Sequence, residues 1–219
     1  MFSLILITIF CAVLVEISYF NIKIISEEEI IKFSKPKIKD KILLFLGFVF
    51  FSFSIFFKDH AGPINMFSLG MNILSVFSFS TLYALSYVDS KTMYIPSDLN
   101  LLALFLSFIS FNIVDKALSS IIAVLFLFIL TKTLSVILKK EVIGEGDFIV
   151  TATMASLLGI GPFFLSLVLA GLISSIYIYI MNKKTAPLVP FLTISTFICY
   201  IFDSEVAHFL HLIQSGGLI

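Results

Sequence analysis

The sequence predicts an all-α integral membrane protein, and its composition and the length of its apolar runs both indicate this class. Of the 219 residues, 59% are hydrophobic and 13% are charged, and the mean hydropathy is +1.12. Soluble domains contain roughly 45–50% apolar and about 25% charged residues. Long apolar runs recur along the chain and approach the roughly 20 residues that a helix needs to cross a bilayer.

The charged residues and the cysteines exclude several other classes. The formal net charge is zero and all 14 basic residues are lysine, so there is no electrostatic argument for a nucleic-acid partner. Cys11 and Cys199 both lie in apolar runs and form no CxxC or Cys/His cluster. The sequence therefore supports neither a disulfide framework nor a zinc site, and we expect no metal and no cofactor.

The apolar runs predict eight membrane spans. The first run follows Met1 without a preceding basic segment and without a small-residue cleavage site after it, so we expect a retained span and not a cleaved signal peptide. The predicted spans are 2–20, 42–57, 64–88, 99–114, 117–138, 148–158, 163–181 and 188–202.

Two of these spans come from one uncharged run, 148–181, which would be about 51 Å long as a single helix. Because a bilayer core is roughly 30 Å thick, we split the run at the turn-type residues 159–162, Gly-Ile-Gly-Pro. Lysine placement agrees: with the N-terminus outside, 11 of the 14 lysines lie in cytoplasmic loops. A single span would instead move Lys183 and Lys184 outside.

Two aspartates stand at the cytoplasmic ends of predicted spans. Asp89 follows the third span and Asp147 begins the sixth, with two spans between them. The chain thus returns to the face that it left, which predicts both carboxyl groups at the same depth. Two close carboxylates share a proton, so one can activate a water while the other polarises a carbonyl. This chemistry hydrolyses a peptide bond without a metal or a covalent intermediate.

The residues beside the two aspartates fit such a site. Gly144 and Gly146 precede Asp147, and glycine tolerates positive φ and close backbone approach. Pro96 ends the loop after Asp89 and favours an extended conformation at Ile95.

A simpler interpretation exists for each aspartate alone. Acids at helix ends are ordinary in membrane proteins, and an acid in the first turn of a helix complements the helix dipole. This chain has three such acids with no evident chemical role, at Asp98, Asp115 and Asp203.

Three segments in order resemble the type IV prepilin peptidase family of GxGD membrane aspartic peptidases. Residues 89–96, Asp-Ser-Lys-Thr-Met-Tyr-Ile-Pro, look like its first aspartate motif, and 144–147, Gly-Glu-Gly-Asp, resemble its GxGD motif. Residues 186–192, Ala-Pro-Leu-Val-Pro-Phe-Leu, are similar to a late segment of the family. The resemblance covers roughly residues 64–200.

The resemblance implies a protease of the inner membrane that removes the basic leader of prepilins, pseudopilins or preflagellin-like precursors. Such enzymes serve type IV pili, type II secretion and competence systems. It implies that Asp89 and Asp147 are the catalytic pair. It also implies a peptidase core over 64–219, preceded by a helical hairpin over 1–63 with a short Lys-rich cytoplasmic loop.

The chain departs from the family pattern at several points. Ile149 stands where members commonly have lysine, and Leu188 and Val189 replace the Phe and Gly of the late segment. Many bacterial members carry paired CxxC motifs in a large first cytoplasmic domain associated with N-methylation. The corresponding loop here, about 21–41, has no cysteine, so we expect neither zinc nor methyltransferase activity.

Other acids suggest roles in substrate binding. Glu145 lies inside the second motif, where it could attract a basic leader, and Glu27, Glu28 and Glu29 could do the same or could begin a solvated helix. Glu16 lies within the first span, where acids are costly, although it is about one turn from the boundary.

Two alternatives remain open at this stage. A transporter or a non-catalytic subunit of a secretion machine would use the aspartates for ion binding or structure, but such transporters often show internal repeats, and none is visible here. A signal-peptide-peptidase-like protease shares GxGD. That group has a Tyr-Asp pair and a Pro-Ala-Leu motif, whereas this chain has Tyr-Val-Asp at 87–89 and no Pro-Ala-Leu.

Overall fold

The computed structural model describes six stretches of the chain: residues 2–27, 38–59, 66–109, 112–139, 143–183 and 185–215. Over these residues the fold is all-helical, with no strand, which confirms the predicted class. Within the described stretches the helices follow one another as α1 (Phe2–Glu27), α2 (Ile38–Asp59), α3 (Met66–Thr92), α4 (Ser97–Phe108), α5 (Ile113–Leu138), α6 (Glu145–Leu158), α7 (Ile160–Met181), α8 (Val189–Ile201) and α9 (Asp203–Gln214).

The predicted spans coincide in order with α1 to α8, and α9 is a helix that the apolar runs did not predict. Much of the Lys-rich loop lies outside the described residues, and so do Glu28, Glu29, His60 and Glu141. The expectations that concern those residues stay predictions.

The predicted span 99–114 is wrong in its extent. Helix α4 ends at Phe108, and Asn112 caps the start of α5 with a left-handed backbone, φ 61 and ψ 47. Residues 113–114 therefore belong to the next helix. Hydropathy did not detect the break, because apolar residues such as Ile109, Ile113 and Val114 lie on both sides of it. With 12 residues, α4 is about 18 Å long, which is shorter than a bilayer core.

The predicted break in 148–181 is confirmed. Gly159 separates α6 from α7. Its backbone has φ 76 and ψ 169, a conformation that glycine adopts readily and that residues with a Cβ rarely adopt. The break is narrower than the four residues predicted, since Gly161 and Pro162 already lie in the first turn of α7. Proline is tolerated there because the first-turn N–H groups have no partner inside the helix.

The chain is an α-helical membrane protein. Among the described helices, α5 and α7 are long and apolar enough to cross a membrane, and α8 with α9 would make a third span if that pair, bent by 88°, counted as one. The exposed faces of α5 and α7 are strongly apolar, as lipid contact requires; they include Ile121, Leu125, Ile129, Val168, Leu172 and Ile176.

The helices form two compact units, Met1–Phe111 and Asn112–Ile219. In the first unit, α3 packs against α1, α2 and α4. In the second unit, α5 packs against α6, and α8 packs against both α6 and α7. The predicted functional division at residue 63 stays a prediction.

A close approach of α2 to α3 organises the first unit. Tyr83 on α3 lies edge-on to Phe48, with ring centroids 5.3 Å apart, and 5.0 Å from the ring of Phe51. Its phenol lies directly against Gly47, so that a Cβ at Gly47 would overlap the ring. Glycine at this position lets the two helices approach closely, as small residues do at helix interfaces in membranes.

We expect Gly47→Ala to destabilise the protein by roughly 1–3 kcal/mol, since the added methyl group must displace the Tyr83 ring from a packed core. Thermal unfolding in detergent micelles, followed by circular dichroism, measures the change. Gly171→Ala on α7 is the matched control, because no atom lies within 4 Å of the added Cβ. That variant should change stability by at most about 1 kcal/mol. Equal effects of the two substitutions would contradict the packing argument.

Candidate active site

Asp89 lies in the last turn of α3, where its side chain is buried, with 5% relative exposure. The helix ends three residues later, and Met93 takes a left-handed backbone conformation with φ 51. The Met93 N–H donates to the Asp89 carbonyl over 2.8 Å, which completes the last turn. The backbone on both sides of the Asp89 carboxyl group is therefore held in defined geometry.

The connection from α3 to α4 is only residues 93–96 and is ordered by its own hydrogen bonds. The Thr92 hydroxyl donates to the Val88 carbonyl over 2.8 Å and accepts the Tyr94 N–H over 3.2 Å. Pro96 is the N-cap of α4, and its carbonyl accepts the Asn100 N–H over 3.1 Å. Pro96 thus ends the loop as predicted, whereas the bridging role of Thr92 was not predicted.

Asp147 lies in the first turn of α6, and its side chain is also buried, with 9% relative exposure. Its Oδ2 atom accepts the backbone N–H of Gly144 over 3.1 Å, and its own N–H donates to the Gly144 carbonyl over 3.2 Å. This reciprocal pair closes the start of the helix in the manner of a capping box, with a backbone carbonyl in place of the capping side chain.

Burial has an electrostatic consequence at this position. Desolvation of the Asp147 carboxyl raises its pKa above the ordinary value for aspartate, and the hydrogen bond from the Gly144 N–H opposes that rise. Desolvation is the larger effect. Ionising a buried carboxyl group places a negative charge where water cannot solvate it, which is unfavourable. A carboxylate with a raised pKa is a stronger base, which suits it to take a proton from water.

The expectation of positive φ at the two glycines of the motif is wrong. Gly144 has φ −79 and ψ 159, an ordinary extended conformation, and Gly159 is the glycine with positive φ among the described residues. A Cβ at Gly144 would meet Asp147 Oδ2 at 3.6 Å, which is normal van der Waals contact. Gly146 is part of α6. The described geometry gives Gly144 its role through its backbone N–H.

Glu145 occupies the first position of α6, two residues before Asp147, and its side chain is exposed. An acid at this position complements the positive end of the helix dipole. It also leaves a negative charge on the surface next to a buried carboxyl group.

Helix α6 is held firmly within the second unit. The Ser120 hydroxyl on α5 donates to the Ala152 carbonyl over 2.8 Å, in a fully buried position. The residues of α6 that follow Asp147 are small or apolar and mostly buried: Val150, Thr151, Ala152, Thr153, Met154, Ala155 and Ser156. The first turn that carries Asp147 is thus the start of a rigid core helix.

The late segment 186–192 leads into α8, which begins at Val189 and packs against α6. Pro190 lies in the first turn of α8, and the buried ring of Phe191 lies 5.2 Å from the ring of Tyr177 on α7. The described contacts of this segment are packing contacts that position α8 beside α6.

Burial separates the two motif aspartates from the other acids. Among the acids whose side chains the structure describes, Asp89 and Asp147 are buried, and the remaining six are exposed: Glu16, Asp98, Asp115, Glu145, Asp203 and Glu205. The exposed acids fit the ordinary interpretation of charges at helix ends. A buried carboxyl group costs free energy, and it marks a candidate functional site.

Glu16 has a structural partner. Both of its carboxylate oxygens accept from Lys41 Nζ, at 2.8 and 2.9 Å, and this lysine also lies 4.1 Å from the centre of the Tyr19 ring. The contact joins α1 to α2, so the acid within the first predicted span is accounted for by an ion pair.

The structure groups the candidate residues in two places. Asp89 and Pro96 belong to the first unit, while Gly144, Glu145, Gly146 and Asp147 belong to the second. The pairing of the two carboxyl groups is a proposal and is taken up below. The described side chains include no group of three or more His, Cys, Asp or Glu residues that could hold a metal ion.

The fold and these carboxyl groups define a class: an α-helical membrane protein with acids buried at helix ends. Residues 76–179, just under half of the chain, match the type IV leader peptidase family. Over this segment, which contains both aspartates, the chain is similar to that family. The resemblance inferred from the motifs is thereby confirmed. Searches of curated proteins and of solved structures find no significant match.

The raised pKa of Asp147 predicts a stability cost above acidic pH. Because ionisation is harder in the folded protein, the free energy of unfolding falls as pH rises from the unfolded-state value, about 3.9, through the raised folded-state pKa. Asp147→Asn removes this pH-dependent loss of stability and keeps a side-chain oxygen that can accept the Gly144 N–H. We expect this variant to be more stable than the parent protein at neutral pH and equal to it below about pH 3.5.

Thermal unfolding of both proteins in micelles across this pH range measures the difference. The matched control is Asp98→Asn, an exposed acid, which should follow the pH dependence of the parent protein. A lower stability of Asp147→Asn at neutral pH would show that the carboxylate is needed for the fold.

Proposed function

We propose that this protein is a membrane aspartic endopeptidase that removes the basic leader peptide of type IV prepilin-like precursors. The observation that carries the proposal is the burial of Asp89 and Asp147, set against the exposure of the other described acids. The family match supports it, because type IV leader peptidases are named for this reaction. An ion-binding or purely structural role for the aspartates has no comparable support.

In the proposed mechanism the two carboxyl groups share one proton across the scissile peptide. One carboxyl group is ionised and activates the water, while the other carries the proton and polarises the substrate carbonyl.

The proposed topology has eight spans, with the N-terminus outside and both aspartates at the cytoplasmic face of the inner membrane. The eight apolar runs of the sequence support the span count, and the break at Gly159 supports the division of 148–181 into two helices. The lysine distribution supports the orientation. We further propose proteolysis without N-methylation, because the loop at 21–41 lacks paired cysteines.

The exposed acid Glu145 is the proposed contact for the leader peptide. A leader rich in lysine or arginine that presents its cleavage site to Asp147 would pass close to Glu145, two residues away on the same helix turn. This attraction acts on binding and not on the chemical step, because the Glu145 side chain is exposed to solvent.

We expect Asp89→Asn and Asp147→Asn each to lower the rate of prepilin cleavage by at least roughly 10²–10⁴-fold, since each removes a group that moves a proton. The assay mixes membranes that contain the protein with a prepilin and follows loss of the leader on a gel. Asp98→Asn and Asp115→Asn, both exposed acids at helix starts, are matched controls that should cleave normally. Full activity of either buried-site variant would refute the two-aspartate mechanism.

We expect Glu145→Gln to raise KM for a basic leader by about 1.5- to 5-fold and to leave kcat unchanged, because an exposed ion pair contributes about 0.2–1 kcal/mol. High salt should remove the difference between the variant and the parent protein. The matched control is Glu205→Gln, which removes an exposed acid from the first turn of α9. A lower kcat with an unchanged KM would contradict the binding role.

A further inference from the structure

Helix α9 was not predicted from the apolar runs, and the peptidase site leaves it without a role. It begins at Asp203 directly after α8, and the two helix axes form an angle of 88°. Because α8 coincides with a predicted membrane span, this right angle is the geometry expected of a helix that lies parallel to the bilayer plane.

Contact with α7 fixes the depth of α9. Helix α7 has 22 residues and is about 33 Å long, enough to cross a bilayer core of roughly 30 Å from one boundary to the other. Gly161 is in its first turn, and a Cβ there would lie 3.2 Å from Cδ1 of Leu210 on α9. Helix α9 therefore packs against the end of a membrane span, at the level of the bilayer boundary.

The two long faces of α9 differ in polarity. Val206 is buried and Leu210 packs over Gly161, while Phe209 and Ile213 continue the same apolar face but remain 41% and 51% exposed. These positions recur at intervals of three and four residues, which places them on one side of a helix. The opposite side carries exposed polar residues: Ser204, Glu205, His208 and His211.

We propose that α9 is an interfacial helix that binds the membrane surface. Phe209 and Ile213 enter the boundary between headgroups and acyl chains, and His208 and His211 face water. The apolar face of α9 fits a lipid surface because it adjoins the end of α7, whose exposed face is also apolar. Entry of α9 into the hydrocarbon as a re-entrant segment would bury Asp203 and Glu205 among lipid chains, at a cost of several kcal/mol.

The absence of tryptophan from the sequence gives a direct test. A single introduced tryptophan is the sole indole in the protein, so its fluorescence reports one position. The full chain is reconstituted into phosphatidylcholine vesicles as Phe209→Trp and, for the matched neighbour on the polar face, His208→Trp. Ile213→Trp is a second reporter of the apolar face if Phe209→Trp does not fold, as judged by its circular dichroism.

We expect blue-shifted emission from Phe209→Trp, with stronger quenching by lipids brominated near the headgroup end of the chain than by lipids brominated near the methyl end. His208→Trp should be quenched by aqueous acrylamide severalfold more strongly. Equal acrylamide quenching at both positions would overturn the proposal, because the helix would then lie in water. Deep quenching at both positions would indicate a re-entrant segment and would likewise overturn the proposal. Shielding of Phe209→Trp from acrylamide and from brominated lipid alike would indicate a covering protein, which also overturns the proposal.

Discussion

The central constraint in this molecule is the free-energy cost of burying a carboxyl group in a chain of which 59% of the residues are hydrophobic and only 13% are charged. Such a group needs a hydrogen-bond donor, a favourable dipole or a proton. Asp147 has the first two, from the Gly144 N–H and the start of α6. Asp89 is at the opposite kind of helix end, in the last turn of α3. The two acids are thus held in different electrostatic surroundings, the condition under which two carboxyl groups take different roles in one reaction.

Both groups lie on the ends of rigid helices and not in long loops. The link from α3 to α4 is four residues long and is tied by Thr92, and α6 is joined to α5 by the buried Ser120 hydrogen bond. Catalytic geometry is more accurate when regular elements carry it, since backbone position is then set by packing. Burial of the aspartates and the exposure of Glu145 are consistent with the roles proposed for them, chemistry for the two aspartates and contact with a charged peptide for Glu145.

Sequence reasoning found the parts of the fold that depend on length and charge. Apolar runs located eight helices, and the excessive length of 148–181 located the break at Gly159, because hydrocarbon thickness limits any single span. Because charged residues are few, Asp89 and Asp147 could be identified from the sequence as candidate site residues. Helix α9 was missed because half of its 12 residues are polar, and the end of α4 was missed because its neighbours are apolar. The hydrogen bonds of Thr92 and the ion pair of Glu16 depend on three-dimensional contacts, which residue spacing does not reveal.

In the proposed mechanism, the hydrogen bond between Gly144 and Asp147 also makes the orientation of a catalytic group depend on the order of a helix end. A free aspartate side chain samples several rotamers, and fixing it during a reaction costs conformational entropy. Here the hydrogen bond from the Gly144 N–H already holds Oδ2 in place. If the first turn of α6 frays, the cap and the orientation of the carboxylate are lost together. Local melting of one helical turn would therefore switch the group between an oriented and a disordered state.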